Sequence, residues 1–219
     1  MTNIGLNNNL KINIMKKEKI TRATLDELEK TMPVLSENEQ RNCTGGYRYY
    51  DESGMFIEKI GDEDEIRIIT RNNFDNLKLD CGNYTANDKT LFKSHSTAFS
   101  DANNSIQLNI LKFMANKIGY DGNITINGAN NNGSCSGKSY ITISNTSSIF
   151  KSSHYFDLLS VLIHEVEHSN TINESGSLMS EYTATKAQYD SPYFKSYSTE
   201  RQKEIADRLA YYKKLLEKE

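Results

Sequence analysis

Tryptophan is absent from this chain of 219 residues, and only two prolines and three cysteines occur in it. Three cysteines cannot staple a disulfide-dense scaffold, and Cys43, Cys81 and Cys135 match neither a zinc-ribbon nor a CxxC spacing. No apolar run approaches the roughly 20 residues that a membrane helix needs, so no membrane span is expected. The apolar residues near the N-terminus are too sparse for a general secretory signal peptide. Nor is there an excess of basic charge. The formal net charge is −3, which provides no positive field for nucleic acid or anionic lipid. Thirteen tyrosines and many Asn, Ile and Lys residues describe an AT-rich coding sequence more than an activity. The length suits one modest domain with a tail and permits a real core.

Texture divides the chain after Gly46, giving an expected leader or propeptide segment, 1–46, and a domain, 47–219. In the first segment Thr24 to Lys30 reads as a short capped helix, with Thr24 as cap, Glu27 three residues on, and Leu25 and Leu28 on one face. A second short helix begins at Ser36, and the segment closes on Cys43-Thr44-Gly45-Gly46. Beyond it, Tyr47–Tyr50 and Met55–Ile57 read as a hairpin around Ser53-Gly54, and Ile66 to Thr70 as a further strand. Residues 71–104 are polar and irregular and predict no element. Ile106, Ile110, Leu111, Phe113, Met114 and Ile118 recur at helical spacing up to Gly119. Asn123–Asn127 and Ser139–Asn145 alternate as strands around an Asn/Gly loop, Gly128 to Gly137. Helices are expected over about 155–170, 178–190 and 199–218. The fold class is α+β, with a small mixed sheet ahead of a helical C-terminal half.

The chemistry concentrates in Asp157 to His168, DLLSVLIHEVEH. Residues four apart on a helix differ by about 40° in azimuth, so His164 and His168 share a face and can grip one ion. Neutral imidazoles suit zinc. Glu165 lies about 100° round from His164, where it can take a proton from water acidified by the ion. Two ligands and a base thus fall within five residues. Shuffling this composition yields H-E-x-x-H about once in two hundred chains, and here the pentad sits on a strongly apolar helix and holds two of the four histidines.

Three carboxylates are candidates for a third ligand. Glu167 points mostly away from the bisector of the histidines. Glu174, six residues past His168, needs an immediate chain reversal that a glycine at 171 would permit, and Thr171 stands there. Glu181 fits best. It opens a helical run in which Ala184 and Ala187 are small enough for close approach to the first helix. H164-E-V-E-H168 followed by E181-Y-T-A resembles the gluzincin branch of the zincin metallopeptidases, over about residues 139–190. The resemblance implies Zn2+ held by His164, His168 and Glu181, with Glu165 as catalytic base. It also implies a cleft-edge strand that pairs with extended substrate, for which Tyr140 to Ser144 is the matching segment. Tyr182, Tyr189 and Tyr193 are candidates to stabilise the oxyanion, and His154 and His95 to assist, although packing or surface roles suit all five.

Met32 to Gly46 resembles a double-glycine leader, cut behind the second glycine by the peptidase domain of a dedicated ABC exporter. Met32, Leu35 and Cys43 match the spaced apolar residues of such leaders, and polar Gln40 departs. Removal would leave Cys81 and Cys135, which could then form a disulfide. The expected protein is a secreted bacterial zinc endopeptidase acting on peptide or protein substrates. The alternatives are a peptidoglycan-peptide hydrolase or antibacterial toxin using the same chemistry, and a bacteriocin-like or adhesive protein with structural zinc.

Overall fold

The structure, a computed structural model, describes residues 47–61, 63–81, 86–128, 133–135, 140–171 and 177–218, side chains excepted at 80–81, 86–89 and 134–135. All belong to the compact unit Glu37–Glu219. The helices expected within residues 1–46, the Gly45-Gly46 pair, Cys43 and Glu174 lie outside the described residues, as does the Cys81–Cys135 pairing considered above.

Tyr47–Tyr50 (β1) and Phe56–Ile60 (β2) form the expected antiparallel hairpin, with Tyr47 opposite Ile60 and a register shift between Tyr49 and Tyr50. Asp51 builds the turn. One of its carboxylate oxygens accepts from the Ser53 amide, the Ser53 hydroxyl and the Met55 amide, while Gly54 takes a φ of +84°. Ile66–Ile68 (β3) joins β1 in parallel, and Thr97–Ala98 (β4) completes a sheet of order β2-β1-β3-β4. Alternation along β1 sends Tyr47 and Tyr49 into one apolar cluster and Tyr50 into the larger core. Both faces of this sheet are therefore covered.

Residues 71–104, expected to carry no element, hold two helices, Arg71–Cys81 (α1) and Ala86–Ser94 (α2). Each is polar apart from a few anchors, so no apolar stripe announces it. Phe74 of α1 and Phe92 of α2 meet with ring centroids 5.1 Å apart, and each lies 5.7 Å from Tyr49. Contact with β1, rather than local periodicity, holds these helices. Asn104–Lys117 (α3) follows the expected pattern. The Asn103 side chain caps it by accepting from the Ile106 amide, Ile110, Leu111 and Met114 are fully buried, and Gly119 ends the turn at φ +82°.

Asn123–Asn127 (β5), Gly133–Cys135 (β6) and Tyr140–Ser144 (β7) form a second sheet of order β5-β7-β6, parallel between β5 and β7 and antiparallel between β7 and β6. Two expectations are corrected here. Tyr140–Ser144 is the central strand, not the edge, and Ile141, Thr142, Ile143 and Ser144 are all buried accordingly. The edges are β5 and β6, and β6 comes from the Asn/Gly segment read as loop. Three residues, Gly-Ser-Cys, are too short to show an alternating pattern, and their pairing depends on β7 already being in place.

Ser148–Ser152 (α4) leads into Tyr155–Asn170 (α5), Leu178–Asp190 (α6) and Thr199–Leu216 (α7), the last three close to their expected bounds. The class is α+β, and no described helix is long and apolar enough to cross a membrane. Leu158, Leu159, Val161 and Leu162 bury one face of α5 in the core. Truncating any of the three leucines to Ala is worth about 2–5 kcal/mol, a measure of how firmly this helix is seated.

Asp157 fastens the start of α5 to the start of α7: its carboxylate accepts from the Ser198 amide at 2.8 Å and the Ser198 hydroxyl at 2.6 Å. Burial pushes this carboxyl up, but the neighbouring His154 and the hydrogen bonds from Ser198 outweigh that and leave it below the usual 3.8. A group more acidic in the folded state contributes stability that is present above its unfolded value and lost as pH falls through its folded value. Asp157→Asn is therefore expected to cost about 1–3 kcal/mol at neutral pH, and the gap to wild type should narrow as pH falls into the acid range. Urea denaturation at several pH values checks this. Curves that stay parallel across the acid range would contradict it.

Candidate metal centre

The apolar seat of α5 presents His164 and His168 together, each 8% exposed. Their Nε2 atoms lie 3.0 Å apart. From α6, Glu181 brings Oε1 to 3.3 Å from His168 Nε2 and Oε2 to 3.6 Å from His164 Nε2. Zinc–ligand bonds of about 2.0–2.1 Å in a tetrahedron put neighbouring donors roughly 3.3 Å apart. The Nε2–Nε2 and Nε2–Oε1 separations lie near that spacing, and one ligand atom from each of the three residues falls within 4.8 Å of the others, so the group could hold a metal ion. The histidines are buried while the Glu181 side chain is about a third exposed, which leaves one side open to solvent.

Second contacts orient these donors. His168 Nδ1 meets the Ser180 hydroxyl at 2.9 Å, and a proton held there leaves the Nε2 lone pair free for a metal. Ser180 is fully buried on the first turn of α6, where the Ser177 side chain accepts from its amide. α6 joins α5 through Gln188, whose amide donates to the Ser160 carbonyl at 2.8 Å, and Ala184 on the same helix is fully buried.

Charge follows geometry. Hydrogen bonds from His164 and His168 hold the Glu181 carboxyl well below the ordinary glutamate range. Burial lowers the His164 imidazole, whereas the hydrogen bond to Glu181 raises His168. Glu165 is 5% exposed, and burial pushes its carboxyl up to about 7. Its Oε2 and His164 Nδ1 are buried without a hydrogen-bond partner among the described residues. Unpaired buried polar atoms beside a convergent donor set call for a reason other than packing. Gly133 of β6 backs onto this glutamate: a Cβ there would come within 2.8 Å of Glu165 Oε1 and 3.0 Å of its Cγ.

The other candidates fall elsewhere. Glu167 is not part of the convergent group. His154 caps α5, and His95 bonds locally to the Leu91 carbonyl. Tyr189 packs on Phe194 and Tyr193 on Phe156. Sequence reasoning missed Ser180, Gly133, Arg208 and Tyr212. The last two, on α7, reach Glu181 Oε2 at 3.5 and 3.4 Å. Their spacing of four places both on one helix face, but nothing in the sequence says what that face meets.

No family model, curated protein or solved structure matches this chain. The chemistry is therefore read from the geometry alone.

Proposed function

We propose that this chain is a zinc-dependent endopeptidase, exported from a bacterial cell, that hydrolyses peptide bonds in protein or peptide substrates. The observation that carries this reading is the arrangement around α5. Three donors converge within 4.8 Å of one another, and the buried Glu165, whose Oε2 has no hydrogen-bond partner, stands beside them. Structural zinc sites are closed by four protein ligands, whereas catalytic sites keep a position open. Among the described residues this group has three members. A site that only fastened the fold would also have no use for Glu165.

Zinc held by His164, His168 and Glu181 would supply Lewis acidity and acidify water. Glu165, poised near neutrality by burial, accepts the proton from the attacking water and returns it to the leaving amine. The β6 edge lies beside this helix, so an extended peptide can add to it as a further strand, with its backbone passing the base. Purified protein should hydrolyse an unstructured substrate such as casein, lose that activity to a chelator and regain it with zinc. Cleavage of isolated peptidoglycan stem peptides with casein left intact would favour the hydrolase alternative.

Gly133 supplies a narrower check. Gly133→Ala should displace the Glu165 carboxylate and lower turnover by about 10²-fold, as an ångström of misplacement does, with zinc affinity unchanged. Unaltered turnover would place the base elsewhere.

Export is proposed from the charged segment ending at Gly45-Gly46. Its removal would take away seven Lys/Arg and six Asp/Glu and shift net charge from −3 to −4. Mass spectrometry of culture supernatant should show a chain beginning at Tyr47. Secreted protein that retains residues 1–46 would count against the leader.

A further inference from the structure

We propose, on the reading of the metal centre above, that Arg208 and Tyr212 of the C-terminal helix are positioning residues for the Glu181 ligand. Arg201, Glu204, Arg208 and Tyr212 follow one another on α7 at helical spacings, so they share a stripe. That stripe is wired to both metal-bearing helices. Buried Arg201 donates from Nε to the Ser160 hydroxyl of α5 at 2.8 Å, one turn before His164, and from Nη1 to Glu204 at 2.7 Å. The other Glu204 oxygen lies 4.0 Å from Arg208 Nη1. Arg208 Nη2 then reaches Glu181 Oε2 at 3.5 Å, and the Tyr212 hydroxyl reaches the same oxygen at 3.4 Å.

Arg208 is thus held between two carboxylates, and one of them belongs to the metal group. A partly exposed glutamate with three side-chain torsions loses rotamer freedom when it is fixed on an ion. Two donors aimed at one oxygen restrict that freedom beforehand. Glu181 Oε1, which lies 3.3 Å from His168 Nε2, takes neither α7 donor. Both α7 donors hold Oε2, which also lies 3.6 Å from His164 Nε2, and Oε1 is left facing His168. A role confined to tethering α6 to α7 would affect stability only.

The test compares wild type with Arg208→Gln, Arg208→Lys and Tyr212→Phe, the last removing only a hydroxyl. Zinc affinity is measured by chelator competition, alongside the visible spectrum of the cobalt-substituted protein and the thermal midpoint of the metal-free protein. Arg208→Gln should bind zinc about 10–100-fold more weakly and shift the cobalt bands. Tyr212→Phe should change both readouts in the same direction by less, and Arg208→Lys should restore part of the loss. Metal-free midpoints should stay close to wild type. Unchanged zinc affinity and cobalt spectra in both Arg208→Gln and Tyr212→Phe, with wild type binding one equivalent, would overturn this inference alone. A wild-type protein that binds no zinc would overturn the site as well.

Discussion

Glu165→Gln is expected to leave fold and zinc content intact while turnover falls by about 10²–10⁴-fold, the usual worth of a general base. The substitution keeps size and shape and removes only the ability to take a proton. Glu165 is buried, with Oε2 lacking a partner, so no hydrogen bond recorded for that atom is lost. Removing a carboxyl that burial already pushes up to about 7 should, if anything, relieve the fold. Stability and activity are therefore expected to part company, which a merely structural glutamate would not allow. Near-normal turnover in a purified, zinc-loaded variant would refute the proposed mechanism.

Glu181→Ala should fail differently. Two imidazoles remain, but the set drops to two donors and the anionic one is lost, so zinc affinity itself should fall. The loss should exceed the about 10–100-fold typical of an outer-shell partner. Isothermal titration at fixed pH would read it, with Glu174→Ala as comparison. Unchanged affinity in the Glu181 variant together with loss in the Glu174 variant would assign the third ligand to Glu174. The pair of variants separates roles that an activity assay alone would merge: zinc present without turnover at 165, zinc lost at 181.

What the sequence made legible follows from where local pattern and tertiary contact agree. The apolar run from Leu158 to Val166 predicts a buried helix, and burial of that helix is what turns two histidines four apart into a pair 3.0 Å apart. Glu181 could be chosen over Glu167 because helix azimuth excludes the latter and because small Ala184 invites close packing. Where the two levels separate, the reading fails. α1 and α2 depend on Phe74 and Phe92 reaching Tyr49, a contact no window of sequence contains. The mistaken edge strand has the same origin. Tyr140–Ser144 has a strand pattern, but its rank in the sheet depends on Gly133–Cys135, which has none. Arg208 and Tyr212 show what they meet only once α7 is laid against α6.

The central claim is that His164, His168 and Glu181 together hold one zinc ion. X-ray absorption at the zinc edge of the stoichiometrically loaded protein tests it most directly. The expected spectrum has only nitrogen and oxygen in the first shell, at about 2.0–2.2 Å, with outer-shell scattering from two imidazoles. His168→Ala should remove one imidazole's contribution or the metal altogether. A first shell containing sulfur at about 2.3 Å would place the metal on cysteine, and failure to bind one equivalent of zinc would leave the donor group without its ion. Either result would contradict the account.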